Sequence, residues 1–76
     1  MKKLVIVGCG RLGGIVAEAV IKGILPEYDL VGVYSRTVSK AESMAARMQE
    51  QGKPCLACTT IADLLALKPD YLVEAA

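Results

Sequence analysis

The chain has 76 residues, of which 54% are hydrophobic and 22% charged, and its formal net charge is +1. This length allows one small domain, and the apolar content predicts a packed core and excludes a disordered chain. No apolar run is long enough for a transmembrane helix or a secretory signal peptide. The nearly balanced charge provides no basic stripe, so we expect neither nucleic-acid nor membrane-surface binding.

The cysteine and histidine counts restrict the chemistry further. Three cysteines without a secretion signal predict reduced thiols in a cytoplasmic protein. Histidine does not occur in the chain, which removes the usual general base and the commonest metal ligand. We therefore expect no catalytic residue and no metal site among these residues.

The first two predicted elements are a buried strand and an amphipathic helix. We predict the first strand over residues 3–7, because the continuous apolar run of residues 4–7 before Gly8 is typical of a strand that is buried on both faces. The helix that follows has apolar residues at i, i+3, i+4, i+7 and i+8, which predicts one buried face. This stripe consists of Leu12, Ile15, Val16, Ala19 and Val20. Gly23 ends the helix, and Pro26 prevents its continuation.

Three strands and two helices follow. Residues 29–35 are rich in β-branched and aromatic side chains and predict the second strand. The capping-box pattern of residues 39–42 begins a helix that ends before Gly52. Residues 54–57 predict a short third strand, and a brief leucine-rich helix then leads to a fourth strand over residues 70–75.

The alternation β-α-β-α-β-α-β predicts an α/β domain with one parallel sheet in the strand order 3-2-1-4. This is the first half of a Rossmann-like fold. A doubly wound domain continues beyond its fourth strand, so we expect residues 1–76 to be a truncated domain without a catalytic domain.

The residues between the first strand and the first helix form a G-x-G-x-x-G pattern, Gly8 to Gly13. Here Gly8 permits a tight turn, Gly10 lets a pyrophosphate approach the backbone, and Gly13 lets the helix pack closely on the strand. The helix N-terminus adds free N–H groups for an anion. The pattern predicts a dinucleotide-binding domain, with Leu12 also in the loop. Arg11 either lies over the pyrophosphate or is a solvated first-turn residue.

The end of the second strand predicts which dinucleotide is bound. An Asp or Glu at this point selects NAD by binding the adenosine ribose, but this chain has Ser35, Arg36 and Thr37. Arg36 can form charge-assisted hydrogen bonds with a 2′-phosphate, and both hydroxyls are further donors. We therefore predict NADP in preference to NAD, with NAD still possible. The alternative is that Arg36 is a solvated loop residue.

Two other features are less informative. Cys55 and Cys58 have C-x-x-C spacing, but they straddle a predicted strand, and no further cysteine pair or histidine completes a zinc site. Glu74 lies near the carboxyl end of the fourth strand. It either contacts a ligand or a downstream segment, or it lies at an exposed end of the sheet.

Three segments resemble the cofactor domain of L-aspartate dehydrogenase-like proteins, a group that is similar to homoserine dehydrogenase and dihydrodipicolinate reductase. They are residues 5–13, residues 31–37 and residues 71–76. The resemblance implies an NAD(P)-dependent oxidoreductase that deaminates an amino acid oxidatively, or catalyses the reverse. Members often carry an acidic residue where Ser35 stands, and their catalytic histidine belongs to a later domain.

The resemblance also implies positions for the cofactor. It places the pyrophosphate on residues 8–13, the adenosine ribose on residues 35–37, and Ala75 and Ala76 near the cofactor beyond the fourth strand. A regulatory module that senses the nicotinamide cofactor without catalysis is the alternative function. A methyltransferase fragment is a third reading, and the Ser35-Arg36 pair counts against it. We further expect a homo-oligomer in the full-length protein.

Overall fold

The computed structural model describes residues 1–75, and Ala76 lies outside the described residues. Strands and helices alternate strictly along this part of the chain. They are β1 (Lys2–Val7), α1 (Arg11–Ile21), β2 (Tyr28–Tyr34), α2 (Val38–Glu50), β3 (Leu56–Cys58), α3 (Ile61–Leu65) and β4 (Tyr71–Glu74). The strands form one parallel sheet in the order β3-β2-β1-β4. The predicted α/β class and strand order are therefore confirmed.

The three helices form two layers on the sheet. The chain advances from β1 through β2 to β3 and then returns past β1 to β4. Because crossovers between parallel strands are right-handed, α1 and α2 cover one face, and α3 covers the other. No helix within residues 1–75 is long and apolar enough to cross a membrane.

The main core lies between the sheet and the layer of α1 and α2. Its members are apolar side chains that are almost completely buried. They are Leu4, Ile6, Ala17, Val20, Leu30, Val33, Ala41, Ala45, Met48 and Cys55. Leu64 of α3 is also fully buried, so both faces of the sheet are covered.

A β-bulge in β2 decides which residues of that strand face each layer. Leu4 pairs with Leu30, but the next residue of β1 pairs with Gly32, so Val31 is the extra residue. Leu30 and Val33 consequently share the face of α1 and α2, although they are three positions apart. Gly32 faces α3, where an added Cβ would lie about 3.0 Å from Cδ1 of Leu64. Glycine at this position lets α3 pack directly on the sheet.

The buried face of α1 differs from the predicted stripe. Gly13, Ala17 and Val20 are buried, whereas Leu12 and Ile15 are 53% and 58% exposed. At the start of the helix, an added Cβ at Gly13 would collide with the Gly8 carbonyl oxygen and crowd Ile6 of β1, so glycine faces the sheet there. The prediction placed the large apolar side chains inward and is wrong for Leu12 and Ile15.

Candidate functional site

Two loops meet at the carboxyl ends of the central strands. The glycine loop (residues 8–13) follows β1, and the second loop (residues 35–37) follows β2. The Gly8 N–H donates to the Tyr34 carbonyl oxygen at 2.7 Å. The Cys9 Sγ lies 3.7 Å from the same oxygen. The two loops are thus neighbours at the edge where open parallel sheets bind their ligands.

The three glycines of the loop differ in backbone conformation and in the space available for a side chain. Gly8 has a φ of +97°, a left-handed conformation that favours glycine. Gly13 is buried, and a Cβ there would collide with the Gly8 carbonyl oxygen and lie 3.3 Å from Cγ2 of Ile6. Gly10 has an ordinary φ of −85°, and a Cβ there would meet no atom within 4 Å. Packing therefore requires glycine at position 13, but not at position 10, where it leaves the backbone open to an approaching group.

The N-terminus of α1 is available to an anion. Gly10 is its N-cap, no side chain caps it, and its first turn contains no acidic residue. The first intrahelical hydrogen bond runs from the Gly14 N–H to the Gly10 carbonyl oxygen at 2.9 Å. The N–H groups before it lie at the positive end of the helix dipole.

The N-terminus of α2 has the same character, whereas that of α3 does not. Thr37 is the N-cap of α2, and no side chain caps this helix or places a carboxylate in its first turn. On the other face of the sheet, Thr60 Oγ1 accepts from the Asp63 N–H at 3.0 Å, and Asp63 is acidic. The two helices that begin beside the joined loops are therefore the two without side-chain caps among residues 1–75.

The predicted capping box at the start of α2 is wrong. The helix begins at Val38, so Ser39 lies inside its first turn. The Thr37 carbonyl oxygen accepts from the Lys40 N–H at 3.0 Å, and Thr37 is the N-cap, two residues before the predicted cap Ser39. Ser35 Oγ accepts from the Thr37 N–H at 3.2 Å. This local hydrogen bond fixes the chain direction between β2 and α2.

A groove of about 840 Å³ lies between α1 and α2 and begins at the glycine loop. Cys9 and Arg11 line it from the loop side, and Lys40 lines it from the first turn of α2. Its walls are largely apolar, with Ile15 and Met44 on opposite helices. The groove therefore combines an apolar surface with cationic side chains at its loop end.

One ion pair crosses the groove. Arg47 Nε lies 3.0 Å from Glu18 Oε2, and Arg47 Nη2 lies 3.1 Å from Glu18 Oε1. Hydrogen bonding to Arg47 holds the pKa of the Glu18 carboxyl below its ordinary value. The other charged residues that line the groove are Arg11, Lys22 and Lys40. Its only carboxylate among residues 1–75 is thus already paired, and the remaining charge is positive.

The predicted ribose-binding residues are only partly brought together with this groove. Ser35 is half-buried, and Arg36 and Thr37 are exposed beside it. Arg36 does not line the groove, whereas Lys40 does. Sequence reasoning missed Lys40. One feature of the sequence could have indicated it: Lys40 is a cation in the first turn of a predicted helix, where the helix dipole favours an acidic residue.

The carboxyl end of β4 lies beside the same edge. The Ala75 N–H donates to the Val7 carbonyl oxygen at 2.7 Å, so Ala75 lies next to the residue before the glycine loop. The proposed role of Ala76 falls outside the described residues. Glu74 pairs with Val7 in the sheet register and has an exposed side chain.

All three cysteines are free thiols. Burial raises the pKa of Cys9 despite the lowering effect of Lys40. Burial also raises the pKa of Cys58, and that of Cys55 to about 12. The thiolate is the reactive form, so these side chains are poor nucleophiles near neutral pH. Within residues 1–75, no group of three or more His, Cys, Asp or Glu side chains could hold a metal.

Comparison with known proteins adds a relative over the whole chain. L-aspartate dehydrogenase of Methanocaldococcus jannaschii is 33% identical over 76 residues, which cover 100% of this chain and 27% of the relative. The chain therefore spans about a quarter of the length of that enzyme. No family model matches the sequence.

Solved structures share the fold. The crystal structure of GenD2 from gentamicin A biosynthesis, in complex with NAD, matches 99% of this chain and 20% of its own. Its TM-score is 0.81 and its sequence identity 26%. UDP-N-acetylglucosamine 3-dehydrogenase GnnA from Acidithiobacillus ferrooxidans matches 99% of this chain and 22% of its own, with a TM-score of 0.77 and 23% identity. The chain thus corresponds, in sequence and fold, to the N-terminal NAD(P)-binding domain of L-aspartate dehydrogenase-like proteins.

Proposed function

We propose that this chain is the NADP-binding domain of an oxidoreductase similar to L-aspartate dehydrogenase. Such an enzyme deaminates an amino acid oxidatively or catalyses the reverse reaction. The observation that carries the proposal is the geometry at Gly10. Its missing side chain leaves open backbone at the uncapped start of α1, and these free N–H groups suit a pyrophosphate.

In this proposal the residues of the chain bind and orient the cofactor. The loop of residues 8–13, including Arg11 and Leu12, holds the pyrophosphate, and residues 35–37 hold the adenosine ribose. Ala75, beside Val7, lies near the cofactor beyond β4. The bound dinucleotide supplies hydride transfer. The full-length protein is proposed to be a cytoplasmic homo-oligomer that binds neither nucleic acid nor membrane.

The preference for NADP is supported by the charges beside the ribose position. No carboxylate follows β2 before Glu42, and the first turn of α2 has no acidic residue. Arg36 is exposed, and no carboxylate of this loop competes with a phosphate for its guanidinium group. Hydrogen bonds to charged groups contribute about 1.5–3 kcal/mol, which corresponds to about tenfold or more in affinity.

The direct test is a fluorescence titration of the protein with NADPH and with NADH. We expect tighter binding of NADPH, and we expect Arg36→Ala to remove most of this preference by weakening NADPH about tenfold. Arg47→Ala is the matched control, because it removes the same charge from an exposed arginine that is paired with Glu18. Binding of NADH as tight as that of NADPH by the unaltered protein would contradict the preference.

A further inference from the structure

Lys40, which the sequence does not mark as a site residue, lies near the glycine loop in the folded chain. Lys40 is in the first turn of α2, yet it lines the same groove as Cys9 and Arg11 of the loop after β1. Two cations, one from each helix start, therefore border the loop end of the groove. Arg36 lies outside the groove on the neighbouring loop.

We propose that Lys40 binds the 2′-phosphate of NADP and is, with Arg36, a determinant of cofactor preference. This inference rests on the proposed binding of NADP. A dinucleotide whose pyrophosphate lies on the glycine loop has its adenosine ribose between that loop and the end of β2. Lys40 on the groove side and Arg36 on the loop side then approach the 2′-phosphate from two directions.

The surroundings of Lys40 favour an anionic ligand over a protein partner. Glu18 is the one carboxylate lining the groove in the described part of the chain, and Arg47 holds both of its oxygens. No ion pair involves Lys40 within residues 1–75. The charge of Lys40 also acts on the Cys9 thiol, whose pKa it lowers against the larger effect of burial. The ammonium group is therefore within electrostatic range of the glycine loop.

The other unpaired lysine of the groove provides a matched control. Lys22 follows the last residue of α1, so it lies about 16 Å along the helix axis from Arg11 at a rise of about 1.5 Å per residue. This distance exceeds the Debye length of about 10 Å at 0.1 M salt. Lys22 has the same charge and lines the same groove, but it is too far away to contact a phosphate near the loop.

The experiment compares Lys40→Met with Lys22→Met, because methionine retains an apolar stem and removes the charge. Affinities for NADPH and NADH are measured by fluorescence, and 2′,5′-ADP and 5′-AMP are compared as competitors. We expect Lys40→Met to weaken NADPH and 2′,5′-ADP about tenfold and to change NADH and 5′-AMP less than about twofold. Lys22→Met should leave all four unchanged, and Lys40→Arg should retain the preference for NADPH.

The outcomes separate this inference from the proposed function. If Lys40→Met weakens NADPH and NADH equally, or weakens neither, Lys40 does not recognise the 2′-phosphate. The proposed function survives that result as long as the unaltered protein binds NADPH more tightly than NADH. If the unaltered protein binds neither dinucleotide, both the inference and the proposed function are wrong.

Discussion

Adding one methyl group at Gly13 should separate α1 from β1. A Cβ at this position would overlap the Gly8 carbonyl oxygen and would lie 3.3 Å from Cγ2 of Ile6. The colliding oxygen belongs to the backbone of the glycine loop, so it cannot move without changing the loop. Overpacking of this kind costs about 1–3 kcal/mol, whereas replacing a helical glycine by alanine contributes up to about 1 kcal/mol. Gly13→Ala should therefore destabilise the protein.

The next residue provides the control. A Cβ at Gly14, in the same helical turn, would meet no atom within 4 Å, so Gly14→Ala gains the helix propensity without the collision. The two variants should differ by about 1–3 kcal/mol in free energy of unfolding, measured by urea denaturation followed by circular dichroism. Gly13→Ala should also bind NADPH more weakly than Gly14→Ala. Equal urea midpoints for the two variants would refute the close packing of α1 on β1.

Three other outcomes follow from the structure. Gly32→Ala should destabilise the protein by about 1 kcal/mol, because its Cβ would collide with Cδ1 of Leu67 and lie 3.0 Å from Cδ1 of Leu64, two side-chain ends that can shift; unchanged stability would contradict this packing. Burial raises the pKa of Cys55 to about 12 in the folded protein, whereas an unfolded thiol loses its proton near pH 9. The free energy of unfolding should therefore fall as pH rises from about 9 to 12. Urea midpoints over this range should fall more steeply in the unaltered protein than in Cys55→Ala, and parallel curves would count against the burial of this thiol. Bound NADPH should slow alkylation of Cys9 in the glycine loop, measured by mass spectrometry, and an unchanged rate would place the cofactor elsewhere.

The order of elements could be predicted from the sequence because each has a strong local signal. Residues 4–7 form an apolar run. Gly23 follows the end of α1 and Gly52 follows the end of α2, both with positive φ. Parallel strands joined by right-handed crossovers then leave few possible strand orders. The predicted roles of Gly8 and Gly13 agree with the positive φ of the first and the close contacts of the second.

The details that were missed depend on tertiary contacts. The buried face of α1 is set by the approach of Gly13 to β1, which outweighs the periodicity of Leu12 and Ile15. The bulge at Val31 places Leu30 and Val33 on the same face of the sheet, and a strict period-2 alternation cannot predict this. Lys40 was missed because its relation to the glycine loop exists only after α1 and α2 pack side by side.

The Gly10→Ala variant tests the central claim most directly, because it separates the ligand from the fold. Gly10 has an ordinary φ, and an added Cβ would meet no protein atom within 4 Å. The free energy of unfolding, measured by urea denaturation, should therefore change by no more than about 1 kcal/mol. In a fluorescence titration, NADPH and NADH should both bind at least about tenfold more weakly, because the methyl group occupies the place of the pyrophosphate. Unchanged affinity of this folded variant for both dinucleotides would show that the glycine loop is not their binding site.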